Sequence, residues 1–188
     1  MAVRLLASAP LPEAFPSHRW PEFAFAGRSN VGKSALLNRL AGAKIARVSK
    51  TPGRTQAIHF FVVDERWVLA DLPGYGFAKV PESVRRGWKD LVEAYFRNRP
   101  QLRAALLLVD PRRGVGEDER MLLDFFAAHE LPVVLVYTKV DKLRRAERSA
   151  LCRALPGTLG VFPTSARTGE GVPELRRELG RLVHGDEP

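Results

Sequence analysis

Short apolar runs alternate along the chain with segments whose apolar residues recur every three or four positions. The runs predict buried strands at residues 23–26, 58–63, 67–70, 104–109, 132–137 and 159–162. The longer segments predict helices at residues 35–41, 85–99, 117–129, 142–155 and 173–183. This alternation favours a three-layer α/β fold, with a mostly parallel six-stranded sheet, one antiparallel strand and helices on both faces.

The remaining segments define the expected boundaries of the fold. Residues 58–70 read as a hairpin that turns at residues 64–66, which supplies the antiparallel strand. Residues 44–57 are polar, contain glycine and lack a clear period, so we expect a long mobile loop there. With 188 residues, the chain predicts one domain, whose core spans about residues 23–183 behind a short N-terminal extension at 1–20.

A phosphate-binding loop follows the first predicted strand. Eight consecutive residues match the pattern G-x-x-x-x-G-K-[ST]: Gly27, Arg28, Ser29, Asn30, Val31, Gly32, Lys33 and Ser34. Glycine lets backbone N–H groups wrap around phosphates, and the following helix adds its positive end. Lys33 can reach the β- and γ-phosphates, and the Ser34 hydroxyl can ligate Mg²⁺. The alternative, a glycine-rich turn before a helix, is disfavoured by the motifs that follow.

A second motif, Asp71, Leu72, Pro73 and Gly74, directly follows the predicted strand at residues 67–70. The carboxylate of Asp71 can hold Mg²⁺ through water, and the Gly74 N–H can face the γ-phosphate. A turn of this kind at a strand end is common, so the motif gains its meaning from its position after the phosphate loop.

The base-recognition motif comprises Thr138, Lys139, Val140 and Asp141, at the end of a predicted strand. Asp141 can accept hydrogen bonds from the guanine N1–H and 2-amino groups, which adenine cannot supply. A carboxylate left unpaired against adenine costs several kcal/mol, which selects GTP over ATP. The Lys139 stem can cover the base plane. Backbone N–H groups after the last strand can contact the guanine oxygen, at Thr164, Ser165 and Ala166.

The long loop contains candidate switch residues. We expect nucleotide contacts from Gly53, Arg54, Thr55 and Gln56, and Thr55 can ligate Mg²⁺ only while the γ-phosphate is present. Thr51 competes for this role. Thr55 is preferred because it lies just before the strand that begins at Ile58. Lys33, Thr55 and Gly74 are the expected catalytic residues.

Charge and composition indicate the kind of partner. The formal net charge is +9 and the isoelectric point is about 10.3, which favours RNA, DNA or anionic membranes, although solubility alone explains such a charge too. The single cysteine, Cys152, excludes an internal disulfide. We found no transmembrane stretch or lipidation motif, and we expect a cytoplasmic monomer without a membrane anchor.

Five motifs follow one another along the chain: the phosphate loop, the switch loop, the D-x-x-G motif, the base-recognition motif and residues 164–166. In this order they resemble those of translation-factor-class (TRAFAC) GTPases. The loops at residues 27–34, 49–56 and 71–76 resemble those of the EngB (YihA/YsxC) family of bacterial GTPases over about residues 23–183. The resemblance implies a single Ras-like G domain that hydrolyses GTP to GDP and phosphate. It also implies a switch in assembly of the large (50S) ribosomal subunit, which normal cell division and septation need.

The residue after the second motif indicates slow intrinsic hydrolysis. Many Ras-like switches carry glutamine there to orient the attacking water, but this chain has Tyr75. Related GTPases with asparagine at the place of Asn30 bind K⁺ beside the phosphates, so the resemblance implies a K⁺ site. The alternative is that Asn30 only stabilises the conformation of the phosphate loop. Arg54 is a second candidate source of positive charge, or a contact to phosphate or rRNA.

Two basic groups are candidate RNA contacts or simply solvated helix faces. The first comprises Arg85, Arg86 and Lys89, and the second Lys142, Arg144, Arg145 and Arg148. Two other functions remain open. The chain could be a nucleotide-gated binding module in which hydrolysis is incidental, or a GTPase that acts directly on division machinery or a membrane.

Overall fold

A computed structural model describes residues 2–46, 57–76, 82–97, 99–149, 151 and 155–184. The strands are β1 (Val3–Ala9), β2 (Glu22–Gly27), β3 (Ile58–Val63), β4 (Trp67–Asp71), β5 (Leu102–Val109), β6 (Val133–Tyr137) and β7 (Thr158–Pro163). The helices are α1 (Lys33–Ala41), α2 (Glu82–Arg97), α3 (Glu117–Ala128), α4 (Arg145–Ser149) and α5 (Val172–His184). Most bounds lie within a few residues of the predicted ones.

The strands form one mixed sheet in the order β1-β3-β4-β2-β5-β6-β7. Strand β3 is antiparallel to both of its neighbours, and the other pairings are parallel. The predicted Ras-like α/β class is confirmed. Strands β4, β3 and β1 lie on one side of β2, and strands β5, β6 and β7 lie on the other. The carboxyl end of β2 is therefore at the switch point of the sheet, where α/β proteins bind ligands.

The sheet has seven strands, so the prediction of six was wrong. The additional strand, β1, comes from the predicted N-terminal extension and pairs with β3 from Val3↔Val63 to Ala9↔Ile58. Its register shifts between Leu5 and Ala7, and Leu5 is 54% exposed. An edge strand with a bulge lacks the regular alternation on which a sequence-based prediction depends.

Two apolar layers cover the sheet. Because side chains alternate across a strand, Phe23 and Phe25 pack with α1 and α5, whereas Ala24 and Ala26 face the cluster of α2 and α3. The first layer includes Leu36, Leu37, Leu40, Leu175 and Leu179. This packing fixes α1 directly behind the phosphate loop. No helix within the described ranges is long and apolar enough to cross a membrane.

The predicted helix at residues 142–155 was placed too early. Val140–Lys142 form a 3-10 turn, and Leu143 is extended with φ −96° and ψ 150°. The helix therefore begins at Arg145, because the turn belongs to the base-recognition motif that precedes it. Residues 150 and 152–154 of the predicted helix, including Cys152, lie outside the described residues, as does most of the predicted loop at 44–57.

Candidate nucleotide site

The phosphate loop joins the central strand β2 to α1 and depends on its glycines. A Cβ atom at Gly27 would lie 2.9 Å from Val31 Cγ1 and 3.1 Å from Leu108 Cβ, so a side chain does not fit. Gly32 has φ +111°, in the left-handed region that favours glycine, and it caps α1. The loop thus turns tightly into a helix N-terminus, which is the geometry that binds phosphate groups.

Lys33 and Asp71 lie side by side at the edge of the sheet. Lys33 Nζ donates a hydrogen bond to Asp71 Oδ1, and the two side chains are only 12% and 8% exposed. They meet because Asp71 ends β4, which pairs with β2 so that Phe25 is opposite Asp71. The Lys33 ammonium group, which is expected to bind phosphate, therefore lies in contact with the Asp71 carboxylate, which is expected to bind magnesium.

The oxygen ligands near this pair suit Mg²⁺. Ser34 follows Lys33 in the first turn of α1, so a serine residue and the Asp71 carboxylate come from neighbouring elements. Mg²⁺ usually takes one or two protein oxygens and completes its shell with substrate phosphates and water. The described ranges hold no cluster of three or more histidine, cysteine or acidic residues that could bind a metal on its own.

The second motif is docked against the phosphate loop. The Leu72 N–H donates to the Phe25 carbonyl at 3.2 Å, and the Ser29 N–H donates to the Tyr75 carbonyl at 2.9 Å. A Cβ atom at Gly74 would lie 3.0 Å from Ser29 Oγ and 3.2 Å from its backbone nitrogen. Gly74 is therefore required for this close approach. Pro73 lies within the same docked segment.

The Tyr75 side chain is directed to α3. Tyr75 is 8% exposed, and its hydroxyl donates a hydrogen bond to Glu119 Oε1 at 3.0 Å. Burial, reinforced by the neighbouring Glu119 carboxylate, raises the pKa of Tyr75 far above its ordinary value. The phenol is thus neutral at physiological pH. Nearby, Arg28 pairs with Asp118 at 2.8 Å, so α3 holds both the phosphate loop and the second motif.

Asp141 is held as a carboxylate by two partners. Ser165 Oγ donates to one oxygen at 2.7 Å, and Arg167 Nε donates to the other at 2.8 Å. The hydrogen bond from Ser165, together with Arg167, holds the pKa of Asp141 below its ordinary value. An ionised carboxylate accepts hydrogen bonds only, as recognition of the guanine N–H groups requires.

The base-recognition motif is tied directly to the phosphate loop. Thr138 Oγ1 donates to the Val31 carbonyl at 2.7 Å, and Lys139 Nζ donates to the Asn30 carbonyl at 2.5 Å. Lys139 also lies 3.3 Å from Asp110. Asn30 has φ +63°, a conformation that asparagine tolerates well. These bonds fix the distance between the predicted phosphate and base sites. Val140 is fully buried beside them.

The loop after β7 has a rigid shape. Thr164 and Ser165 are fully buried, and the Ser165 N–H donates to the Glu170 carbonyl at 2.9 Å. Gly171 has φ +71°, and a Cβ atom there would lie 1.9 Å from the Pro163 carbonyl oxygen. Ala166 follows at the predicted position. The structure thus brings the predicted loop at residues 164–166 next to Asp141.

Several residues of the site were not predicted. Asn38 accepts the N–H groups of Ile45 and Ala46 at 2.8 Å each and donates to the Ala46 carbonyl at 2.9 Å. Asp110 pairs with Arg112 at 2.6 Å, and this hydrogen bond holds the pKa of Asp110 far below its ordinary value. Asn38 in the middle of a helix, where asparagine is unfavourable, was the available signal. The predicted residues Gly53, Arg54, Thr55 and Gln56, and the alternative Thr51, lie outside the described residues.

A phosphate loop, a docked D-x-x-G segment and a base-recognition motif meet at one edge of a Ras-like sheet, and together they define a P-loop GTPase. A family model described as "50S ribosome-binding GTPase" matches residues 22–139. "Probable GTP-binding protein EngB" of Halothermothrix orenii is 44% identical over 96% of this chain and 92% of its own length. The Thermotoga maritima protein of the same name is 43% identical over 96% of each chain. The chain therefore belongs to the EngB family of GTPases, and GTP and GDP are its ligands.

Solved structures agree with this assignment. The crystal structure of a probable GTP-binding protein EngB has a TM-score of 0.70 and 27% identity, and the match covers 87% of this chain and 98% of that one. Era in complex with MgGDPNP and nucleotides 1506–1542 of 16S ribosomal RNA has a TM-score of 0.67 and 23% identity over 92% of this chain and 59% of Era. The second likeness is one of fold.

Proposed function

We propose that this GTPase is a GTP-gated switch in assembly of the large ribosomal subunit. Its GTP form would bind a 50S precursor, and hydrolysis would release it. In this proposal residues 27–34 hold the phosphates, Asp71–Gly74 sense the γ-phosphate, and residues 138–141 and 164–166 bind guanine. Ser34, Thr55 and, through water, Asp71 would hold Mg²⁺, which neutralises charge across the phosphates.

The observation that carries the GTP-gated part is the joining of the two halves of the site. Thr138 and Lys139 bind carbonyl groups of the phosphate loop, and the Tyr75 backbone binds the same loop at Ser29. A nucleotide that contacts the loop therefore also bears on the switch segment that begins at Asp71. Such a shared element lets the bound nucleotide bias one conformation over another.

The ribosomal part rests on charge and family. The net charge of +9 suits a partner made of phosphodiester, and the matching family model is described as a 50S ribosome-binding GTPase. Exposed cations include Arg86, Lys89, Lys142, Arg144 and Arg145. An effect on cell division and septation would then follow from the supply of ribosomes. We further propose that the chain works as a single G domain and a cytoplasmic monomer.

Sedimentation with purified 50S subunits tests the proposal. We would compare GDP with a non-hydrolysable GTP analogue across a salt series. Binding that needs the triphosphate form and weakens steeply with salt is the expected result. Absence of binding in both nucleotide states would overturn the ribosomal role while leaving the GTPase assignment intact.

Hydrolysis in this proposal depends on Lys33, Thr55 and Gly74 and on a source of charge other than Tyr75. Because the Tyr75 hydroxyl is bonded to Glu119, the phenol is poorly placed to orient water, which supports slow intrinsic turnover. We propose that K⁺ beside Asn30 accelerates the reaction by neutralising charge between the β- and γ-phosphates. Turnover should be faster in K⁺ than in Na⁺ at matched ionic strength, and equal rates would reject the K⁺ site.

The same placement of Tyr75 favours a second candidate function. If turnover is incidental, the chain is a nucleotide-gated binding module, with division machinery among its candidate partners. Partner binding would then still require GTP. A block of hydrolysis would neither prevent this binding nor change the release of the partner. A pull-down with a hydrolysis-deficient variant, followed by release kinetics, separates this function from the leading one.

A further inference from the structure

A pocket of about 580 Å³ opens between α1 and α5, beside the loop that carries Ser165. Its volume is in the range of sites that bind small ligands or single nucleotide units. It contains none of the residues expected to bind GTP. The described residues that line it are Arg39, Gly169, Val172, Pro173, Arg176 and Arg177.

Arg39 packs against Gly169, where any other residue would place a side chain in its way. Gly169 has φ +89°, and a Cβ atom there would lie 2.5 Å from Arg39 Nη2 and 3.3 Å from Cζ. The guanidinium therefore packs directly on the backbone of the loop. Arg39 is exposed, and within the described ranges no carboxylate lies within ion-pair distance of it. Its charge is thus available to a ligand.

Arg176 is positioned by the end of α1. Its Nη2 donates to the Leu40 carbonyl, and the described part of the chain offers it no acidic partner. Among the described residues, Arg177 reaches only Glu174, at 3.4 Å, in an exposed pair. Elsewhere on α5, by contrast, Arg181 makes two hydrogen bonds to Glu178, at 2.8 and 3.2 Å. Positive charge in excess of local carboxylates is therefore a feature of the pocket.

We propose that this pocket binds one nucleotide unit of an RNA strand, a contact that rests on the proposed ribosomal function. The planar guanidinium groups of Arg39 and Arg176 match the oxygens of a phosphodiester, which arginine binds in a bidentate manner. Val172 and Pro173 give the pocket an apolar wall for a ribose or base, and arginine planes also stack on unpaired bases. An acidic peptide would satisfy the charge but would not need this wall.

The pocket also shares a loop with the guanine site. The Gly169 N–H donates to the Ser165 carbonyl at 2.8 Å, and Ser165 in turn donates to Asp141. RNA bound against Gly169 therefore contacts the same rigid loop that positions the guanine-binding carboxylate. The RNA contact would therefore lie next to the bound guanine nucleotide, and it would respond to whether that nucleotide is GTP or GDP.

Two paired-charge variants test the proposal. Arg39→Gln/Arg176→Gln removes both charges, and the new amide at position 176 can still donate a hydrogen bond. Arg103→Gln/Arg120→Gln removes the same charge at two exposed positions outside the pocket. Each protein is titrated with 50S subunits and with a fluorescent 12-nucleotide oligouridylate across a salt series. GDP affinity and thermal unfolding are measured alongside.

The pocket variant should lose two phosphate contacts. The slope of log K against log salt for the oligonucleotide should become shallower by about 1.4, with affinity at low salt at least about tenfold weaker. GDP affinity and melting temperature should stay at their wild-type values, and the control variant should change RNA affinity far less. If the pocket and control variants bind the oligonucleotide equally well, the proposal is overturned.

The two probes separate this inference from the ribosomal role. Wild-type protein that binds oligonucleotide through the pocket but ignores 50S subunits would support the pocket and reject the role. Protein that binds 50S subunits with the wild-type salt slope in the pocket variant would support the role and reject the pocket. Full competition by poly-glutamate, at charge equal to the RNA, would reject RNA as the ligand.

Discussion

The two ends of the sheet use carboxylates in opposite ways. At the carboxyl end, Asp71 contacts Lys33 and Asp141 contacts Arg167, and both carboxylates belong to the proposed nucleotide site. At the amino end, Glu22 is fully buried among fixed donors. The Tyr95 hydroxyl donates to Oε1 at 2.5 Å, and Arg99 donates to both oxygens, at 3.1 and 2.5 Å.

The difference concerns what each charge does in the molecule. Burial alone would raise the pKa of Glu22, but hydrogen bonds from His18, Arg99 and Tyr95 outweigh burial and lower it. Glu22 therefore joins the N-terminal segment, β2 and the end of α2 as a permanent ion pair. We therefore expect variants at the carboxyl end of the sheet to change ligand binding, and variants at the amino end of the sheet to change stability.

The largest effect should come from Asp141→Asn. An amide cannot accept both guanine N–H groups, so we expect GDP affinity to fall by about 1,000-fold, equivalent to about 4 kcal/mol. The melting temperature should change little, because Arg167, its cationic partner, is exposed. Isothermal titration with GDP measures the first and a thermal scan the second. Asp124→Asn, at an exposed position on α3, is the control; equal GDP affinities in both variants would contradict the assignment of Asp141.

Glu22→Gln should produce the reverse pattern. It leaves the Arg99 charge buried without its partner, so the free energy of unfolding should fall by about 3 kcal/mol. GDP affinity measured at a temperature where the protein is folded should be unchanged. Denaturant titration gives the stability, with Glu93→Gln as the matched control in a partly exposed pair. A stability loss no greater than that of the control would show that the buried network is not structural.

The same variant should alter the dependence of stability on pH. Because the folded-state pKa of Glu22 is lowered, its stabilisation is complete above the ordinary glutamate pKa of about 4.3 and is lost as pH falls through the folded value. The gap in unfolding free energy between wild type and Glu22→Gln should therefore be constant near pH 7 and shrink below pH 4. A gap that widens with acid would contradict this sign.

Tyr75→Phe should have the smallest effect. Loss of the hydrogen bond to Glu119 should cost about 1 kcal/mol of stability, because the carboxylate keeps the N–H of Gly116 at 2.9 Å. Single-turnover GTP hydrolysis should keep its wild-type rate. Slower hydrolysis with unchanged GDP affinity would instead assign the phenol a role in the reaction and extend the functional part of the carboxyl end to Tyr75.

Local patterns predicted the elements that carry the motifs at the carboxyl end of the sheet. The phosphate loop and the two later motifs each occupy a few consecutive residues at a strand end, and the alternation of apolar runs located those strands. By contrast, the buried pairing of Glu22 with Arg99 joins residues far apart in the chain, and nothing local marks Glu22 as buried. Contacts of this kind depend on the completed fold.

The same reason explains two other omissions. Arg167 was visible in the sequence, but only the fold shows that it reaches Asp141. The contact of Arg39 with Gly169 requires α1 and α5 to lie side by side, which no periodicity specifies. Strand β1 was missed for a different reason, because its bulge interrupts the regular alternation of buried and exposed residues. Sequence patterns predicted elements and motifs here, whereas side-chain contacts between distant elements required coordinates.

The position of β1 has a consequence for synthesis of the chain. This strand is made before β3, and the nearest residue of β3 follows Ala9 by about 50 positions. At common elongation rates β1 would wait roughly 2–10 s before its partner is even polymerised. The opposite edge is closed only by β7, about 100 residues after β3. A nascent chain would thus carry β1 unpaired until β3 has been made, which makes Val3–Ala9 a place for early misfolding or chaperone capture.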